Sequence, residues 1–170
     1  GDDTCPGNFG LWDQTAALRW VNENIEAFCG NKSNITLLGQ SAGAISTDML
    51  HLSPHSTGLF HKMIMMSGMA ELRIITGNRK SMDEECQEKV ARLGITDYKN
   101  SKDLLAKLRS LPADKFTAEI RFFRKDRDEY DILETAPHID GDFFPSSFDE
   151  MRKSSIPKPL ITGVTKEEGI

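Results

Sequence analysis

The sequence predicts an α/β protein with a parallel sheet, and three observations lead there. Short apolar stretches at Ile35–Leu38, Met63–Met66 and within Pro157–Val164 have the length and β-branched or aliphatic character of sheet strands buried on both faces. Segments of helical period lie between and before them. The first run also leads directly into Gly39-Gln40-Ser41-Ala42-Gly43, a G-x-S-x-G pattern followed by a helix of small residues.

Composition admits this class and removes others. The chain has 170 residues, 38% hydrophobic and 28% charged, with a formal net charge of -5, so it offers neither a basic surface for nucleic acid nor a polybasic membrane anchor. No apolar run is long enough for a membrane span in this piece. Cys5, Cys29 and Cys86 are odd in number, have no C-x-x-C spacing, and argue against a disulfide framework or a zinc site. Asn31-Lys32-Ser33 and Asn34-Ile35-Thr36 are glycosylation sequons, and Asn31 is the better acceptor because Asn34 is expected to enter the strand. The sequons admit a secretory route and the cysteines an intracellular one, so the compartment stays open.

In chain order, Gly1–Gly10 is rich in turn formers and reads as a loop. From Leu11 to Phe28, Ala17, Val21, Ile25 and Phe28, with Leu18 and Trp20, recur at helical spacing, Asp13 falls in the first turn, and both Trp12 and Trp20 are expected in the core. Cys29-Gly30-Asn31 ends that helix. The strand at Ile35 follows, then the sharp turn at Ser41. Such a turn raises a serine hydroxyl above the sheet, where it can act as a nucleophile. Gly39 and Gly43 are expected to avoid collisions with the neighbouring strand and helix. The Ala42 N–H, at a helix N-terminus, can face a developing oxyanion. The competing structural role for Ser41 is a plain helix N-cap.

Leu52–Phe60 is a turn-rich connection into the second strand, which ends at Ser67-Gly68. His51, His55 and His61 lie in or beside it without metal-binding spacing, which favours surface or hydrogen-bonded imidazoles. Residues 71–135 change character: Ser81–Leu93, Lys102–Leu111 and Ala113–Phe123 form a charged helical excursion, and the mixed run near Arg124 reads as a solvated face. APHIDGD then turns at Gly141, a short helix runs to about Arg152, and Pro157–Val164 is the third strand, followed by Thr165-Lys166-Glu167-Glu168-Gly169. Catalytic groups gather in the loops after such strands.

Several blocks carry a resemblance: GNFGLWDQTAALRWVNENIEAF, ITLLGQSAGA, LSPHSTGLFHKMIMMSG, HIDGDFFP and LITGVTKEEG are similar to the type B carboxylesterases, the cholinesterase-like branch of the α/β-hydrolase fold. The resemblance implies a partial α/β-hydrolase, three central parallel strands with flanking helices and a helical excursion, acting as a serine esterase. Ser41 matches the nucleophile, Glu168 the triad acid, Ala42 the oxyanion-hole N–H, and Ser67 a serine that supports the acid. Gly39, Gln40 and Gly43 match the turn. On residues alone the favoured reading of Glu168 is a solvated loop carboxylate beside Lys166, and Glu167 is the nearest competitor for its role.

Departures from the family pattern narrow the expectation. Gln40 replaces the usual Glu and Cys29 the usual Gly, while Ile95 and Lys107 stand where secreted relatives often carry a disulfide. Asp131 and Leu133 fall where cholinesterases have acyl-pocket phenylalanines, which favours a broad carboxylesterase. The family's His-Gly-Gly-Gly stretch and catalytic histidine are expected before Gly1 and after Ile170, making residues 1–170 part of one domain truncated at both ends. The expected substrate is a small carboxylic ester, no cofactor is implied, and no nucleic-acid partner is expected. The rival reading is a catalytically inactive, cholinesterase-like adhesion domain. A lipase or peptidase would share the elbow without the surrounding blocks.

Overall fold

The computed structural model describes residues 4–71, 79–118 and 136–168. The chain divides into two compact units, residues 8–72 with 139–170, and residues 1–7 with 73–138.

The first unit holds the sheet. Helix α1 spans Phe9–Asn24 and tightens into a 3-10 turn at Ile25–Phe28, which closes on Cys29 in a left-handed conformation, φ 62°. The helix exists where the periodicity put it, but it is rotated from the expected face. It buries Leu11, Thr15 and Leu18, leaving Ala17 and Phe28 exposed and Val21 and Ile25 half-buried. Thr15 tolerates burial because its hydroxyl donates to the Leu11 carbonyl at 2.9 Å. Trp12 packs edge-on against Phe143 as expected of a core aromatic, whereas Trp20 is 56% exposed against Phe28. Asp13 lies beyond the first turn.

Strand β1, Thr36–Gln40, runs parallel to β2, Lys62–Met66, and β2 parallel to β3, Leu160–Gly163, with β2 between the other two. The crossover from β1 to β2 is α2, Ala42–Leu52, which packs on both strands. Ala44, Thr47, Met49, Leu50 and Leu52 of α2 are buried, as are Met63 and Met65 of β2. The sheet differs from the expectation of fully buried strands: Leu38 is 63% exposed, and all of β3 is exposed. Among the described residues α2 packs on β1 and β2 but not on β3, so β2 buries Met63 and Met65 on one face only and β3 is exposed on both. Asn34 stops short of β1 and is exposed, its side-chain carbonyl accepting from Lys62 at 2.7 Å.

Behind α2 lies an aromatic cluster in which Phe143 and Phe144, then Phe144 and Phe148, meet edge-to-face at 4.9 and 5.0 Å. The HIDGDFFP turn presents it: Asp140 accepts from the Asp142 and Phe144 N–H groups and from Asn8. Helix α6, Phe148–Ser154, starts with a capping box between Ser147 and Glu150.

The second unit contains α3, Arg79–Arg92, α4, Ser101–Ser110, and α5, Ala113–Ala118, matching the expected helical excursion. Asn100, read from sequence as a separator, caps α4 by accepting from the Asp103 N–H at 3.0 Å. Asp131, Leu133, the run near Arg124 and Gly169 lie outside the described residues. No helix among the described residues is long and apolar enough to cross a membrane.

Candidate active site

Ser41 occupies the one position between the end of β1 and the start of α2. Its N–H donates to the Met66 carbonyl at 2.8 Å, extending the β1–β2 ladder by one bond, and its backbone then turns to φ 53°, ψ -121°. A residue with a Cβ adopts this conformation only under surrounding constraint. Ser41 stands at the N-cap, yet its side chain makes no capping bond and the residue is exposed. The hydroxyl is therefore available above the strand ends and not spent on the helix. Ala42 opens the helix, so its N–H has no carbonyl one turn back to receive it.

The two elbow glycines differ. A Cβ on Gly39 would collide with the backbone of Gly43 and Ala44, so the crossing of strand and helix requires glycine there. A Cβ on Gly43 would meet nothing within 4 Å, which corrects the expectation that both positions are sterically forced. The second forced glycine is Gly68, after β2: its Cβ would sit 2.6 Å from the Ser41 carbonyl oxygen and 3.1 Å from the Ala44 methyl. Gln40 ends β1, in register with Met66.

Ser67 repeats the pattern at the next strand end, with φ 56° and an N–H donated to the Gly163 carbonyl at 2.9 Å. Its hydroxyl donates to Glu168 Oε2 at 2.7 Å. The same oxygen accepts from the Thr165 hydroxyl at 2.8 Å and the Thr165 N–H at 3.0 Å. The Ser67 hydroxyl first, then the two Thr165 donors, hold the Glu168 carboxyl below the usual glutamate value, since each bonds the charged form. Glu167 makes no hydrogen bond among the described residues, so the neighbouring carboxylates occupy different environments. Ser41, Ser67 and Glu168 thus follow the carboxyl ends of β1, β2 and β3 respectively. Thr165 and Gly68 were not singled out by sequence, although Thr165-x-x-Glu168 has the spacing of a capping box.

The histidines of this unit lie elsewhere. His61 precedes β2, at the opposite end of the sheet, and its Nδ1 accepts from the Ile35 N–H at 3.3 Å. His51 is one residue from the far end of α2, about 15 Å along the helix from Ser41 at 1.5 Å per residue. Burial first, then Lys158, lowers its pKa. His55 bonds Asp142 at 2.8 Å beside Trp12 and Phe143. His138 belongs to the other unit. Among the described residues no group of three potential metal ligands converges.

The carboxylesterase family model matches residues 1–170. Esterase cest-33 of Caenorhabditis elegans is 39% identical over 170 residues, which is 100% of this chain and 30% of that protein. Carboxylesterase 5A of Canis lupus familiaris is 37% identical, covering 99% of this chain and 28% of its own length. Acylcarnitine hydrolase of Mus musculus is also 37% identical, again over 99% of this chain and 28% of its own. The chain spans less than a third of the length of these relatives. A match across every residue, together with a parallel three-stranded α/β sheet, establishes that this chain belongs to the carboxylesterase family.

Proposed function

We propose that the protein hydrolyses carboxylic esters through an acyl-enzyme on Ser41. The observation that carries this is the backbone of Ser41, held in a strained positive-φ turn at a strand's carboxyl end with its hydroxyl uncommitted. A helix N-cap would use that hydroxyl for the backbone; a nucleophile needs it free. The relatives' names, two esterases and an acylcarnitine hydrolase, fit the same chemistry.

In this reading a histidine takes the Ser41 proton as the oxygen attacks the ester carbonyl, and the Ala42 N–H stabilises the resulting oxyanion. The histidine returns the proton to the leaving alcohol, and water repeats the sequence to release the acid. Glu168 orients the imidazole and stabilises its charged form. All three hydrogen bonds to the Glu168 carboxylate among the described residues fall on Oε2, which leaves Oε1 for the imidazole N–H. Ser67 holds the acid, and Gly39 and Gln40 shape the turn. Residues 1–170 form part of a single carboxylesterase domain, in which the histidine and a glycine-rich oxyanion stretch come from outside this segment.

The test is labelling of the full-length protein with a fluorophosphonate, followed by substitution. Ser41→Ala abolishes the label, and Glu168→Gln lowers turnover by up to about ten-thousand-fold while Glu167→Gln is nearly silent, because only a triad acid selects the histidine tautomer. Labelling that survives in Ser41→Ala removes the nucleophile, and an unlabelled wild-type protein supports a non-catalytic recognition domain.

A further inference from the structure

Asp48 lies on α2, about two turns beyond Ser41, and is 2% exposed. A carboxylate at that depth persists only where its charge is matched and its lone pairs are filled. Arg152 of α6 supplies the match with a forked pair of bonds, Nη1 to Oδ1 at 3.1 Å and Nη2 to Oδ2 at 2.8 Å. The Ala70 N–H donates to Oδ2 at 2.9 Å, and Arg152 continues through Nε to Glu71 at 2.5 Å. Hydrogen bonding to Asp48 is the largest influence on the guanidinium and raises its pKa.

Three segments meet at this carboxylate: the helix that carries Ser41, the turn after β2, and α6. The turn is the informative one. At its start, Ser67 adopts φ 56° and donates its hydroxyl to Glu168; next, Gly68 sits against the Ser41 carbonyl at a distance that admits no Cβ. Its far end, Ala70, is fastened to Asp48. The turn therefore touches the nucleophile's backbone and the acid's carboxylate at one end and is anchored to the nucleophile's own helix at the other. Packing alone does not call for an ion pair in this place, because well-packed apolar residues of similar volume usually serve stability as well or better. A directional bond to one backbone N–H is what an apolar side chain cannot supply.

We propose that Asp48 is a positioning residue: through the Ala70 N–H it sets the Ser67–Gly68 turn that aligns Glu168 with Ser41, and Arg152 holds Asp48 in the orientation this needs. The proposal rests on the acyl-enzyme reading above. In the full-length protein Asp48→Ala lowers kcat about tenfold to a hundredfold and moves KM less than about threefold, the effect of a small misplacement in a preorganised site. Asp48→Asn, whose amide oxygen can still accept the Ala70 N–H, recovers most of that loss.

The deciding measurement is a double-mutant cycle on kcat with Ser67→Ala. Because Asp48 acts through Ser67, the combined loss falls short of the product of the single losses. If the alanine variant does not fold, Asp48→Ser, a small polar side chain that lacks the carboxylate oxygen to which the Ala70 N–H donates, takes its place in the cycle. An unchanged kcat, losses that multiply, or no recovery in Asp48→Asn overturn the role of Asp48 while leaving the esterase reading intact. A wild-type protein without Ser41-dependent ester turnover overturns both.

Discussion

A strand end can place a side chain in solvent at a defined angle only if the backbone there is prevented from relaxing. Ser41 and Ser67 both hold positive φ, and each is pinned by its N–H to the next strand, on Met66 and Gly163 respectively. Glycine serves this strain where a backbone crosses closely. Gly39→Ala and Gly68→Ala place a methyl against the backbone of Gly43 and Ser41 respectively, and each is expected to lower Tm sharply or prevent folding. Gly43→Ala meets open space within α2 and is expected to raise helix stability by up to about 1 kcal/mol, which thermal denaturation of the three variants checks. The donors on Glu168 make a separate prediction. They bond the carboxylate and lower its folded pKa, so their stabilising contribution is present above the ordinary glutamate value and is lost as pH falls through the lowered folded value. Ser67→Ala and Thr165→Val each raise the Glu168 pKa toward that of a free glutamate, Ser67→Ala more, as read by carboxyl NMR titration. An unmoved titration in Ser67→Ala would show that the hydroxyl does not bind the acid in solution.

At the scale of elements, local signals and packing decided different things. Asn100 and Ser147 start their helices by accepting an N–H three residues on, and Glu150 completes the box at the second. Ser147→Ala is expected to destabilise the protein by about 1 kcal/mol through the first turn of α6, measured by denaturant unfolding. Since α6 also carries Arg152, a loss much above that size would mean that the cap supports the Asp48 clamp as well. The rotation of α1 shows the limit of periodicity. Ala17, Val21, Ile25 and Phe28 share a helical spacing, but the helix ends at Asn24 and the 3-10 turn that follows changes the angle per residue, so Phe28 leaves the buried stripe. The stripe then falls on Leu11, Thr15 and Leu18, where a threonine replaces an apolar residue by bonding its own helix.

For the whole molecule, the exposed sheet face is the dominant feature. Leu38, Met66, Leu160, Ile161 and Val164 are apolar and exposed on or beside strands, and β1 and β3 each have one edge without a partner among the described residues. Residues 1–170 expressed alone are expected to associate with rising concentration and to show no ester turnover, since no described histidine of the sheet unit stands beside Ser41. Size-exclusion chromatography and an aryl-ester assay check both, and Leu38→Lys with Ile161→Lys should reduce the association. A concentration-independent monomer with Ser41-dependent turnover would sink this expectation.

What the amino-acid sequence determined by itself was local and contiguous: three apolar runs, the helices between them, the G-x-S-x-G turn, and the blocks that mark the family. These are legible because hydrophobic period, turn chemistry and motif spacing are set within a few residues. The tertiary structure alone decided which residues meet across long separations. Ser67 bonds Glu168 across a chain separation of 101 residues, and Asp48 bonds Arg152 across 104. It also separated Glu168 from Glu167, and Gly39 from Gly43, pairs that look alike in the chain. The reason is physical: hydrogen bonds and close approaches depend on where the parallel strands and the α2 crossover bring their ends, and that placement is fixed by packing of the whole sheet, not by any single segment.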